Sequence, residues 1–133
     1  MSSAAVYLDS SALVKLCVAE AESEALRDWV GERPVISSAL ARTEVIRAVR
    51  FVGPAALAAA RSLLGEVDLV TLDDGLLDTA ATSDGPMLRS LDAIHLASAT
   101  TVRAAIDAFV AYDRRLLDAA RAEGFATASP GAD

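Results

Sequence analysis

Of its 133 residues, only one each is cysteine, histidine and lysine. Cys17 alone cannot form an intramolecular disulfide, and together with His95 it leaves too few soft ligands for a zinc or iron–sulfur site. Any chemistry must therefore be carried by oxygen. Aromatic residues make up only 5% of the chain and alanine much of its apolar share, so the core must come from helices packed closely on something broader, such as a sheet. Every stretch long enough to span a membrane as a helix is interrupted by Arg, Asp or Glu, and the N-terminus lacks the basic region and apolar run of a secretory signal. A cytoplasmic protein is expected. Positive charge is scarce as well. The 12 Lys and Arg face 19 Asp and Glu, a net charge of −7 that argues against a broad basic surface for nucleic acid.

With 53% apolar and 23% charged residues, the chain reads as one folded domain and not as a disordered acidic tail. Two apolar segments end abruptly at an acid and run straight into helical patterns: Ala5 to Leu8 before Asp9, and Ala108 to Tyr112 before Asp113. Shorter β-branched runs occur at Val35 and Ile36 and from Val67 to Leu72, with a last short strand expected around 125–127. Helices are expected at about 11–18, 20–31, 38–52, 54–65, 74–83, 91–103 and 114–123, the last closed by Gly124. Strands alternating with helices predict an α/β sandwich with a mainly parallel sheet. Ser83 to Pro86 reads as a turn between helices, and 128–133 as a frayed tail.

Most of the acids have an ordinary explanation. Glu20, Glu22, Glu24 and Asp28 suit a solvated helix, Asp73 or Asp74 a helix cap, and others termini or outer faces. Four are harder to dismiss. Asp9 and Asp113 stand at the carboxyl ends of apolar strands, the edge where open parallel sheets bind ligands, although each can equally be the N-cap of the next helix. Asp92 opens a helix that is apolar on nearly every side and shares a face with His95, Leu96 and Ala99, so it must cap, pair or bind metal. Glu44 lies at the margin of the apolar arc of its helix, where pairing with Arg47 competes with a role in a site. If the four converge, two carboxylates about 5 Å apart repel by roughly 3 kcal/mol at an effective dielectric near 20. Mg²⁺ or Mn²⁺, hard ions that prefer carboxylate and water, would compensate them and could clamp a phosphodiester.

The segments Val6 to Leu16, Ser38 to Val45, Leu88 to Ala99 and Phe109 to Leu116, in this order and spacing, carry a resemblance to a known family. The chain resembles the PIN-domain ribonucleases, specifically the VapC-type toxins of bacterial toxin–antitoxin pairs. The resemblance covers nearly the whole chain and implies a single PIN-like domain over 1–133, with about 128–133 flexible. The implied fold is a three-layer sandwich with a mainly parallel four- or five-stranded central sheet and helices on both faces. It also implies that Asp9, Glu44, Asp92 and Asp113 form the acidic quartet holding Mg²⁺ or Mn²⁺. By the same resemblance Asp9 and Asp92 are expected to be the foremost direct ligands, and Ser11 a small polar support. Further implications are a metal-dependent endoribonuclease acting on structured RNA such as tRNA or rRNA, a homodimer, and a VapB-type antitoxin whose C-terminal segment lies across the site.

Other residues are read more plainly. His95 could be a general base but fits a hydrogen-bonded core histidine better; Trp29 and Cys17 read as packing residues. Ile46 is either one exposed apolar residue or a partner contact, and Arg42, Arg47, Arg50, Arg89, Arg114 and Arg115 are either solvated or phosphate contacts. Two other function classes compete. A catalytically weak module of the same fold could use an acidic groove to capture a basic peptide. A haloacid-dehalogenase-like enzyme would want an Asp where Ser11 stands, and a phospho-receiver domain a late lysine where the chain has only Lys15.

Overall fold

The computed structural model describes residues 4–83 and 88–132. The elements follow the order β1 (Ala5–Leu8), α1 (Ser10–Lys15), α2 (Ser23–Val30), β2 (Val35–Ser38), α3 (Ala41–Val49), α4 (Pro54–Glu66), β3 (Asp68–Val70), α5 (Asp74–Ala81), α6 (Ser90–Thr101), β4 (Ile106–Val110), α7 (Arg114–Ala122) and β5 (Thr127–Ala128), with a 3-10 turn at Arg103–Ala105. The five strands form one parallel sheet in the order β3-β2-β1-β4-β5. The chain leaves the central strand β1 toward β2 and β3, then crosses back to β4 on the other side. The topology therefore switches direction between β1 and β4, and the carboxyl ends of those strands frame the crevice where such sheets take ligands.

Alternation along the strands builds two cores. Val6, Leu8, Ala108 and Val110 face one side and join Leu13, Leu26, Val45, Val49, Ala60 and Leu64 from α1 to α4. Ala5, Tyr7, Phe109 and Ala111 face the other side and meet Leu96, Ala99, Leu116, Leu117 and Ala120 from α6 and α7. Leu76, Ala80, Ala93 and Ala97 join α5 to α6 on that second side. The result is the expected α/β three-layer sandwich. Tyr7 and Phe109 stack at 5.2 Å between ring centroids, so the two strands that frame the crevice are also tied by side chains.

Several boundaries move from their expected places for local reasons. β4 starts at Ile106, because Ala5 pairs with Ile106 while Val6 pairs with Ala108, leaving Asp107 as an extra residue that faces outward to Arg33. The strand ends at Val110, so Asp113 lies three residues past it. α1 ends at Lys15 because Leu16 and Cys17 bond to carbonyls three residues back, which tightens the turn. α3 begins at Ala41, since Ser37 and Ser38 stay in β2 and the Ser38 hydroxyl accepts from the Leu40 amide. Gly124, at φ +92°, closes α7 as expected. Within the stretch expected as a tail, Ala128 to Pro130 bond to other segments. Ala128 pairs with Val110, the Ser129 hydroxyl donates to Ala111 O at 2.8 Å, and the Tyr112 hydroxyl donates to Pro130 O at 2.8 Å. The turn expected at Asp84 to Pro86 lies outside the described residues. Ile46 is partly buried against the α1 to α4 core and is not an exposed apolar residue; Phe51 and Val52, at 86% and 59% exposure, hold that position instead.

Candidate functional site

A cleft of about 350 Å³ opens at the carboxyl edge of the sheet and is lined by Asp9, Ser10, Ser11, Glu44, Arg89, Asp92, His95, Tyr112 and Asp113. The four acids singled out from sequence thus arrive from four separated segments: after β1, from α3, from the first turn of α6 and before α7. Another hollow, of about 410 Å³ between α5 and α6, has no titratable side chain in its lining among the described residues.

Asp9 caps α1. Its Oδ1 accepts from the Ala12 amide at 3.0 Å and from the Ser11 hydroxyl at 2.7 Å, so both readings of this residue hold together: it is a cap, and it lines the cleft. Ser11, the small polar residue singled out beside Asp9, thus touches the Asp9 carboxylate directly. Burial raises the Asp9 pKa above the ordinary value, an effect that His95, Ser11 and the Ala12 amide oppose and the charge of Asp92 reinforces.

Glu44 is held from below. Its Oε1 accepts from the Ser10 hydroxyl at 2.6 Å and from His95 Nε2 at 2.8 Å, and no bond to Arg47 forms. Partial burial pushes its pKa up, but these two hydrogen bonds outweigh it and the net shift is downward. A carboxylate kept ionised can only accept, so Nε2 carries a hydrogen; that N–H also lies 3.1 Å from Ser10 Oγ. Nδ1 shares a 2.8 Å hydrogen bond with the buried Tyr7 hydroxyl. His95 is therefore the hydrogen-bonded core histidine expected from its helix, but its partner is a site carboxylate. Ser10, His95 and Tyr7 are the supports that sequence reasoning did not assign to the site. The available signal was Ser10 beside Asp9 and the i, i+3 spacing of Asp92 and His95 on α6, which turns His95 toward the same end of the sheet as Asp92.

Asp92 and Asp113 face one guanidinium. Arg89 Nε lies 3.6 Å from Asp92 Oδ2, and its Nη2 lies 3.3 Å from Asp113 Oδ2. Asp113 Oδ1 caps α7 through the Arg115 amide at 2.8 Å. The Asp92 pKa is raised first by burial, with Arg89 pulling it down and Asp113 pushing it up. Arg114 and Arg115 begin α7 with exposed side chains.

A common pattern emerges. In Asp9, Glu44 and Asp113 one carboxylate oxygen is committed to a fixed donor of the scaffold, which sets the plane of the group; the second oxygen is outside that bond, and in Asp113 it meets Arg89. Among the described residues, no three His, Cys, Asp or Glu side chains close up into a ready-made metal cluster. The donor set suits an ion that keeps much of its water and takes one or two carboxylates directly, as Mg²⁺ does, better than one needing a full protein cage. A buried, pKa-raised Asp9 beside three further acids also gives the scaffold a reason to gain from a cation.

Comparison with known proteins agrees with this geometry. The family model of the PIN domain matches residues 6–122. Ribonuclease VapC35 of Mycobacterium tuberculosis (strain ATCC 25618 / H37Rv) is 47% identical over 131 residues, covering 95% of this chain and 97% of the relative. Ribonuclease VapC46 of the same strain is 47% identical over 128 residues, covering 96% and 98%. Ribonuclease VapC47 of strain CDC 1551 / Oshkosh is 42% identical over 133 residues, covering 96% and 98%. With both the sheet order and the acid cleft in place along the matched span, the chain belongs to the PIN-domain family and, within it, to the VapC ribonucleases.

Proposed function

We propose that this protein is a metal-dependent endoribonuclease toxin, which hydrolyses phosphodiester bonds in structured RNA with Mg²⁺ or Mn²⁺ held by Asp9, Asp92, Asp113 and Glu44. Asp9 and Asp92 are the foremost direct ligands. The observation that carries this reading is the convergence of four carboxylates from four chain segments on one cleft at the sheet's switch point. A divalent ion bound there supplies Lewis-acid polarisation of the phosphodiester and eases the deprotonation of water.

The chain's own residues fix where that chemistry happens. Ser11 and the Ala12 amide hold Asp9, the Ser10 hydroxyl and His95 hold Glu44, and the Arg115 amide holds Asp113, so the orientation of each carboxylate is set before substrate arrives. Hydrolysis adds the water oxygen to phosphorus and breaks the bond to the 3′ oxygen, which takes a proton. The fragments should therefore carry 5′-phosphate and 3′-hydroxyl ends. By family, the partners are a VapB-type antitoxin that covers the cleft and a second copy of the chain.

Purified protein should cleave tRNA or rRNA only when Mg²⁺ or Mn²⁺ is present, with both end groups as stated. Asp9→Asn keeps a capping side chain but loses the charge, and should lower the rate by at least a hundredfold. Wild-type rates in that variant, or in excess chelator, would refute the site.

A further inference from the structure

We propose that Arg89 is the resident counter-ion of the Asp92 and Asp113 pair and competes with the divalent ion for them. The inference rests on the metal reading above. Its observations are geometric. The guanidinium reaches across the cleft to the Oδ2 atoms of both acids, at 3.6 and 3.3 Å, and these acids come from different elements. A cation at the N-cap position of α6 is unfavourable to the helix dipole, so the placement of Arg89 is explained by the two carboxylates and not by the helix.

The contacts are built for exchange. Charge-assisted N–H···O bonds close to about 2.7–2.9 Å when well made, and both distances here are longer. The Arg89 side chain is 75% exposed while those of Asp92 and Asp113 are 20% and 33% exposed, so the arginine can leave into water while the acids stay in the cleft. In its absence Asp92 faces burial and the charge of Asp113 without its principal opposing charge, with only the weaker influence of His95 left to offset them. A divalent ion satisfies the same oxygens with twice the charge, and the two cations repel. Arg89 thus sets a threshold for metal entry.

Titration of Mn²⁺ alone into the full-length protein, followed by calorimetry, tests this without any cleavage assay. Arg89→Gln should bind Mn²⁺ about two- to fivefold more tightly than wild type, the range expected when an exposed ion pair no longer has to be broken. Arg61→Gln, on an exposed position of α4, removes the same charge elsewhere and should match wild type. Arg89→Lys should fall between Arg89→Gln and wild type. Measurable Mn²⁺ binding with Arg89→Gln no tighter than Arg61→Gln overturns the role of Arg89 alone. No Mn²⁺ binding by any of these proteins overturns the metal site as well.

Discussion

A buried imidazole must find partners for both nitrogens, and His95, at 2% exposure, finds them in the core hydroxyl of Tyr7 and in the cleft carboxylate of Glu44. Its identity was visible in the sequence, but its target was not, because helical periodicity says which face a residue shares and not which distant segment meets that face. Glu44 illustrates the same limit: Arg47 is its neighbour in sequence, while Ser10 and His95 are 34 and 51 positions away. Replacing His95 by Leu leaves the Tyr7 hydroxyl and Glu44 short of a partner and should cost about 1–3 kcal/mol in urea unfolding. Gln can restore a donor toward Glu44. At equal folded fraction, His95→Gln should therefore retain more RNA cleavage than His95→Leu, and equal activities would argue against positioning. Asp9 gives a prediction of the opposite sign for stability. Its folded pKa is raised above its ordinary 3.8, so protonated Asp9 favours the fold at low pH and ionisation removes that benefit as pH rises through the folded value. In metal-free buffer, Asp9→Asn should melt at or a few degrees above wild type at pH 7, and the difference should vanish below about pH 4. Thermal melts at the two pH values decide it.

Among the elements, those with strong periodicity were legible and those set by neighbours were not. α6 was recognisable because its sequence is apolar nearly all round, and it is indeed packed between α5, α7 and the sheet, with Ala93, Leu96, Ala97 and Ala99 buried. The end of β4, the start of α3 and the tethered Ser129 and Pro130 depend on hydrogen bonds to other segments, which no local pattern encodes. The shortage of aromatics has its counterpart here. Alanines at 99 and 120 let α6 and α7 lie close to Tyr7 and Phe109, so the few large rings fill the space between layers. Close packing of this kind tolerates added volume poorly. Ala99→Leu should destabilise the protein by about 1–3 kcal/mol in urea denaturation, whereas Ala58→Leu, on an exposed position of α4, should be near neutral.

At the scale of the molecule, the net charge of −7 is unevenly placed: four of its acids line a single cleft. The rest of the surface has no lysine beyond Lys15, which pairs with Glu22 at 2.7 Å, so positive potential near the site must come from arginines such as Arg114 and Arg115 at the start of α7. An RNA held mainly at a metal-filled cleft, with little help from outside it, neutralises few phosphates. For single-stranded regions each neutralised phosphate contributes about −0.7 to the slope of log affinity against log salt. Binding of a cleavage-resistant RNA to the wild-type protein in Mg²⁺ should therefore show a slope shallower than about −2, set by no more than three phosphates. Replacing Arg114 and Arg115 together by Gln should bring the slope toward zero by up to about 1.4, while Arg61→Gln leaves it unchanged. A slope steeper than about −4 that survives the double replacement would mean that RNA follows a basic path elsewhere on this acidic protein. A fluorescence-anisotropy series between low and moderate salt separates the two outcomes, because a locally held RNA loses little affinity across that range and a broadly held one loses orders of magnitude.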